Sequence, residues 1–583
     1  MNARHVLAAC LGLAFAAAPA AAQGSDACET GSMAYECLRA ESYWAAQWAV
    51  QTAAGDALSQ VSARFASGED ALAQIVSERE DIVNRLRAFE RHLYDALGET
   101  NEDLRAARTQ SFRAEITRLQ GLAAGIDARL AADFPGYAEL TNPQPLSVEQ
   151  TQAMLRADEA MVVLLVGDSA SLVYFIDRGS VDWAEIDVTA ADLAAEVSAL
   201  RAGLDPVAAE DGRAPWNAVD VAAAESRPLI FDRTRAYALY LMLFSPFETR
   251  MERLNHIYIV PSGALTGIPL GVLVTQPPQG DDADADALRS TAWMARRYAM
   301  TVLPAPSSLR ALARFGPSRA QRAFFGVGDP CIGALAGQCD HAAAPAPAGG
   351  GDRGAGEEFT GFRAAAASRG AGFLANPDDV RRLTALPETG PELFALARAL
   401  GGSRADDIRV RDRATETGLK NDPTLSDRRV IAFATHGLIA DEIPTLAEPA
   451  LVLTPPGEAT AEDDGLLTAS EIARDLRLDA DWVILSACNT AAPDGVGAES
   501  LSGLARAFFY AGARSLLVSH WVVRDDAARL ITTRAISALQ DEPGIGRAEA
   551  LRRSLTVMMD DPAYAHPSIW APFVLVGENR PVQ

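Results

Sequence analysis

Apolar residues along this chain change their spacing several times, and each change predicts a different kind of element. Between residues 40 and 132 they recur at three- and four-residue intervals, as at Ile75, Ile82, Leu86, Phe89 and Leu93. That spacing lines one stripe of a helix and predicts two or three amphipathic helices, arranged as an antiparallel hairpin. No 34-residue repeat is found there, so a non-repeat helical module is expected over 23–140. After a turn-rich junction at 134–145, the runs 161–166 and 172–176 are continuously apolar and of strand length, and predict a hairpin. A further strand is expected at 256–260, before a Pro-Ser-Gly turn.

Three more apolar runs, 430–434, 482–486 and 515–519, are each followed by polar or reactive side chains. The first leads into Thr435, His436 and Gly437, the second into Ala487, Cys488 and Asn489, and the third into His520 and Trp521. In open α/β sheets the carboxyl ends of strands are where ligands bind. Between the second and third runs, 491–498 reads as a loop and 499–510 as a helix. The spacing of these runs leaves room for a crossover connection between two strands of the same sheet.

A His and a Cys at strand ends are a chemically sensible pair. A thiol with its ordinary pKa of about 8.5 is largely protonated at neutral pH, and an imidazole can take that proton or stabilise the thiolate. Taken alone, a Cys after an apolar strand is usually a small buried hydrophobe, and a His beside Gly usually a structural hydrogen-bonder. Both together, 52 residues apart, shift the reading toward a nucleophile and its base. Gly437 adds to it, because a residue without Cβ lets the backbone approach a substrate and offer its N–H to an oxyanion.

With those motifs in place the chain resembles the CHAT domain family, bacterial caspase-like cysteine peptidases of the caspase, separase and gingipain group. The resemblance rests on ATHG (434–437), LVLTP (451–455), DGLLTASEIA (464–473), LSACNT (485–490), ESLSGLARAFFYAGARSLLVS (499–519) and HPSIWAPFVLVG (566–577). Upstream, IVPSGALTGIPLGVLV (259–274), LPAPSSLRAL (303–312), GVGDP (326–330) and LPETGPE (386–392) follow the same pattern, so it covers about 145–577. It implies an α/β fold, a caspase-like three-layer α/β/α sandwich with a mostly parallel sheet, after the helical module. A front, non-catalytic half would occupy 145–310 and a catalytic half 320–580.

The resemblance also implies peptide-bond cleavage by Cys488 and His436, with the N–H groups of Gly437 and Cys488 as the oxyanion hole. The segment after the third strand would border the substrate pocket, which assigns substrate-binding roles to Ser519, His520, Trp521 and Asp525. His520 departs from the family pattern, which carries a small apolar residue between Ser and Trp. Asp525 could read a basic substrate side chain or cap the following helix. The implied partners are a protein or peptide substrate and a protein bound by the N-terminal helices; a non-catalytic or autoprocessing-only scaffold is the alternative.

Composition narrows this frame. At 583 residues with 49% hydrophobic content the chain can bury a large core, and a net charge of −25 argues against nucleic acid as a partner. Arg4, the apolar run 6–18 and Ala20-Ala21-Ala22 form a signal-peptide pattern over 1–22, predicting export to the periplasm or medium with no transmembrane helix after cleavage. A competing lipoprotein reading at Cys10 has only four apolar residues before it. Five cysteines then remain, and in an oxidising compartment Cys28 with Cys37 and Cys331 with Cys339 can pair, leaving Cys488 free.

Two inserts interrupt the α/β region. The loop 276–287 carries Asp281, Asp282, Asp284 and Asp286 without the spacing of a calcium loop, and 342–372, rich in Ala, Gly and Pro, is expected to be disordered. No metal cluster, phosphate loop or dinucleotide fingerprint is present, so neither metal nor cofactor is expected.

Overall fold

A computed structural model describes residues 40–47, isolated helical positions between 75 and 89, and 102–133, 145–205, 229–314, 317–333, 374–402, 407–438, 446–486 except 447 and 461, and 503–579. The expectations for the signal segment, Cys10, Cys28, Cys37, Cys339, the insert 342–372, the loop 491–498 and Cys488 lie outside those residues.

Helix α1 (Glu102–Asp133) is the long arm of the helical module. Its Leu119 and Ile126 pack on Ile82, with Ile75, Leu86 and Phe89 around them. Phe89 meets Phe112 and Arg85 meets Glu115, so one partner descends as the other rises and the two segments run antiparallel. The helical stretch 40–47 is fixed to the rest by buried polar contacts: Ser42 Oγ with Tyr174 Oη at 2.6 Å, and Gln47 bonded through both side-chain atoms to the backbone of Leu146.

Beyond these helices lies a single eleven-stranded sheet, with a three-stranded sheet beside it. In chain order the strands are β1 (Glu159–Leu165), β2 (Ser171–Asp177), β3 (Ser180–Ile186), β4 (His256–Val260), β5 (Ala299–Val302), β6 (Arg322–Pro330), β7 (Ile408–Arg411), β8 (Arg428–Ala434), β9 (Gly437–Leu438), β10 (Ala450–Val452), β11 (Leu466–Thr468), β12 (Trp482–Ser486), β13 (Ser515–Ser519) and β14 (Phe573–Gly577). The large sheet is ordered β3-β2-β1-β4-β5-β14-β13-β12-β8-β6-β7. It is parallel from β1 through β4 and β5 to β14, and again from β13 through β12, β8 and β6 to β7. Antiparallel pairing is confined to β1–β2, β2–β3 and β13–β14.

Alternation along the strands divides the core. Val162 and Leu164 of β1, Ile484 of β12 and Leu517 of β13 face one layer, with α2 (Arg233–Phe244), α3 (Thr389–Ala399), α4 (Asp525–Asp541) and α5 (Arg547–Asp560). Met161, Val163, Val483, Leu485 and Leu516 face the opposite layer, with the helices Ala469–Asp475 and Gly503–Ala511. Strands covered on both sides read as unbroken apolar runs, which is why they stand out in the sequence. The sandwich has the three layers and mostly parallel sheet expected of it, with a helical region before it. β14 lies between β5 and β13, so the front and back halves share one sheet.

The aspartate-rich loop is a clamp around an arginine. Arg233, 1% exposed, donates to the backbone oxygens of Gln279, Gly280 and Ala287, to Thr291 Oγ1 and to Asp282. Asp281 and Asp284 accept backbone N–H groups of their own turn. Within the described residues no helix is long and apolar enough to cross a membrane.

Candidate active site

The parallel register of the central strands sets the ends of β8 and β12 level. Ala434 of β8 pairs with Ser486 of β12 and with Gly328 of β6, and β6 runs two residues past that level. Positions 436 and 488 each lie two residues beyond the last pair of β8 and β12.

His436 sits where the chain leaves the large sheet and enters the small one. Its carbonyl accepts the N–H of Val452 at 3.0 Å, and Thr435 Oγ1 donates to Val452 O at 2.6 Å, so the turn is held from both sides. The imidazole Nε2 lies 2.7 Å from the carbonyl oxygen of Thr384. A carbonyl only accepts, so Nε2 carries the proton, and in the neutral ring Nδ1 keeps its lone pair. Burial holds the pKa of His436 below the ordinary histidine value, against the opposing effect of that carbonyl. The ring is therefore a neutral base with Nδ1 as its basic atom.

Gly437 pairs with Leu451 in the small sheet, and the bond from Val452 N to His436 O flanks that pair. Flanking bonds mark the non-hydrogen-bonded kind of antiparallel pair, in which each residue's own N–H points away from the neighbouring strand. Among the described residues β9 is an edge strand, so the N–H of Gly437 points away from β10.

One segment, residues 384–392, touches β6, the end of β12 and the turn after β8. Thr384 O holds His436, Thr389 Oγ1 accepts the N–H of Asp329 after Gly328, and Glu392 Oε2 accepts the hydroxyl of Ser486 at 3.1 Å. Glu392 is 2% exposed, and its other oxygen has no partner among the described residues. Desolvation is the main cause that pushes its pKa up to about 8, with Asp525 adding to it and Ser486 opposing it, so the carboxyl is neutral at pH 7. Asp329 has φ of 47°, a left-handed conformation uncommon outside glycine. Its carboxylate pairs with Arg411 Nε at 2.7 Å; burial raises its pKa to about 6 against the pull of that guanidinium.

Among the substrate-binding candidates, Ser519 and Trp521 are wholly buried, and the indole N–H of Trp521 donates to Ser568 O at 2.9 Å. His520 is 5% exposed and faces a cavity on the α5 side of the sheet. Asp525 is exposed and is the first residue of α4; Arg524 holds the N-cap position, so Asp525 does not cap that helix. Thr384, Asp329, Glu392 and Arg411 have no role in the sequence reading. The motifs GVGDP and LPETGPE contain two of them, but nothing in their spacing says that they meet.

The sequence profile of the CHAT domain matches residues 233–578, more than half of the chain. The chain belongs to the CHAT domain family. The match starts after β1–β3, so these strands of the front half precede it. Among curated proteins, tetratricopeptide repeat protein 28 of Mus musculus is 36% identical over 114 residues, and that of Homo sapiens 34%. These alignments cover 20% of this CHAT protein and only 4% of the length of the relatives. Among solved structures, Saccharomyces cerevisiae separase in its complex with securin is similar over 82% of this chain and 34% of that chain, at 9% identity and a TM-score of 0.40. The Arg-specific cysteine proteinase gingipain R is similar over 73% of this chain and 78% of that one, at 8% identity and a TM-score of 0.31.

Proposed function

We propose that this CHAT protein is an exported cysteine endopeptidase in which Cys488 is the nucleophile and His436 its base. The observation that carries the proposal is the orientation of His436: Nε2–H is committed to Thr384 O, which leaves a basic Nδ1 at the edge where β8 and β12 end in register. Nδ1 takes the thiol proton, the thiolate sulfur attacks the scissile carbonyl carbon, and the oxyanion is met by the N–H groups of Gly437 and Cys488. The C–N bond breaks as Nδ1–H protonates the leaving amine, giving a thioester. Water, deprotonated by Nδ1, then attacks the thioester and releases the acid and the free thiol. The N–H of Gly437, turned away from β10, supports the oxyanion role.

A second reading, a partner-binding scaffold, is favoured by the complete burial of Ser519 and Trp521, which leaves no open side-chain pocket at these two residues. The partial likeness to a tetratricopeptide repeat protein adds to it, with the helical module as the surface that would hold a partner. Cleavage of a mixed peptide library by the mature protein, by Cys488→Ala and by His436→Gln separates the two. The peptidase reading expects turnover lost in both variants and iodoacetamide labelling of Cys488 in the wild type. Equal cleavage in all three, or none in the wild type together with no labelling, refutes it and favours the scaffold. Both disulfide pairings and export stand with this proposal; non-reducing mass spectrometry of the mature protein tests them, and Cys488 in a disulfide would end its role as nucleophile.

A further inference from the structure

Among the described residues two that are not glycine have positive φ, and they pair with each other. Asp329 (47°) and Arg411 (58°) lie where β6 and β7 end, next to the register shift between Gly328 and Pro330. Residues with a side chain rarely take that region, and such strain persists where the surroundings enforce it. They do so here: Thr389 Oγ1 accepts the N–H of Asp329, and Thr454 Oγ1 donates to Arg411 O at 2.6 Å. Gly390 leaves room for the carboxylate, since a Cβ there would stand 3.1 Å from Asp329 Oδ2. An ion pair whose arginine is 35% exposed returns less stability than two strained residues cost, so stability does not account for the pair.

Two segments tie this pair to His436. The N–H of Val452 donates to His436 O at 3.0 Å and, two residues on, Thr454 holds Arg411 O, so both backbones are fixed to one stretch about 7 Å long. Segment 384–392 makes the second link, through Thr384 O to His436 and Thr389 to Asp329. In the sheet Gly328 stands opposite Ala434 and Pro330 opposite Arg411, which sets Arg411 two strands, roughly 10 Å, from the turn that carries His436. Asp329 takes the Nε of the guanidinium at 2.7 Å. Neither Nη group has a partner among the described residues, and neither is closed off from solvent.

We infer that Arg411 is a specificity residue that receives an acidic side chain of the peptide substrate, with Asp329 as the residue that positions it. With Nε occupied, the two Nη groups present the parallel N–H pair that fits a carboxylate through two bonds. An extended peptide advances about 3.3 Å per residue, so a separation of about 7–10 Å sets the acid two or three residues from the bond cleaved beside His436. A basic side chain at that position meets a like charge, and a neutral one leaves the fork without its second partner. The inference rests on the peptidase reading, and a binding measurement that needs no catalysis keeps the two apart.

The probes are fluorescent alanine octapeptides with a single Glu or Gln stepped along them, offered to the full chain. Cleavage by the wild type gives kcat/KM, and fluorescence anisotropy with Cys488→Ala gives binding. At one or two positions Glu should be preferred over Gln by about ten- to hundredfold, the range of a hydrogen bond to a charged group. Arg411→Gln should bring that ratio to about one; Arg411→Lys keeps the charge and loses the fork, so it should give an intermediate ratio and serves if the first variant does not fold. Asp329→Asn should lower the ratio by raising KM for the Glu peptide more than for the Gln peptide, a split that general loss of structure does not produce. Cleavage by the wild type with no preference for Glu at any position overturns the inference and leaves the peptidase reading standing. If nothing is cleaved, the peptidase reading falls, and the inference is decided by anisotropy. Equal binding of the Glu and Gln peptides to Cys488→Ala overturns it, as does no binding up to about 1 mM or a Glu preference that survives Arg411→Gln.

Discussion

Glu392 offers the sharpest test of the site's electrostatics, because its carboxyl is buried next to the end of β12 and the replacement Glu392→Gln keeps its shape. In the folded chain its pKa is about 8, against an ordinary value of 4.5. The folded state therefore binds more protons than the unfolded state between those values. The stability contributed by the neutral carboxyl is fully present below pH 4.5 and is lost as pH rises through 8. A gap of about 3.5 units corresponds to about 5 kcal/mol, of which the window from pH 5 to pH 8 captures about 3.5. Glutamine still accepts the hydroxyl of Ser486, and its amide N–H groups near the unpartnered position add a cost that does not vary with pH. The quantity to measure is thus a slope and not an offset. Denaturant unfolding at pH 5, 6, 7 and 8 would follow tryptophan fluorescence, which Trp482 in β12 and Trp521 after β13 report. Wild-type stability should fall relative to Glu392→Gln by about 3 kcal/mol across the window. A difference that changes by less than about 1 kcal/mol would show that Glu392 is ionised in the fold, and the reasoning would fail.

Three other outcomes are expected. Gly328→Ala places a Cβ 2.2 Å from the carbonyl oxygen of Ala434, so it should force β6 from β8 and cost about 1–3 kcal/mol by thermal unfolding. His520 has a depressed folded pKa, so the unfolded chain binds more protons between about 3 and 6.5. Stability from its neutral form is present above pH 6.5 and lost as pH falls; the wild type should lose about 3 kcal/mol relative to His520→Leu between pH 7 and pH 4. Because burial also lowers the pKa of His436, the acid limb of kcat/KM should lie below the ordinary histidine value near 6.5, and a limb above it would contradict the neutral base.

The sequence showed the parts of the fold that are buried on both faces. β1, β2, β4, β8, β12 and β13 are apolar throughout or nearly so, and their carboxyl ends carry the residues that the spacing singled out. β3 and β7 are edge strands with partly exposed residues, and their mixed composition gave no period to read. β6 contains Gly326 and Gly328, which look like a loop; the reason for Gly328 is the nearness of Ala434 O, a long-range fact that no local pattern carries. His436 was legible as a base, yet its tautomer depends on a backbone carbonyl 52 residues away. Thr389, Glu392 and Asp329 meet only through the third dimension, and their residue types are ordinary wherever they stand. The burial of Trp521 escaped for a similar reason: a strand end can present a side chain to solvent or turn it under a neighbouring helix, and the sequence is the same.

The position of β14 has a consequence for how the chain is made. β5 ends at Val302 and its neighbour β14 begins at Phe573, 271 residues later. Ribosomes add about 5–20 residues per second, so the edge of β5 waits roughly 15–50 s for its partner. Through that interval the front half of the sheet presents an open, parallel edge beside an uncovered apolar face, the arrangement most prone to pairing with another nascent chain. Tail truncations that remove β14 should therefore yield aggregates in the cell rather than a soluble front half, and early chaperone engagement is the natural demand this topology places on its host.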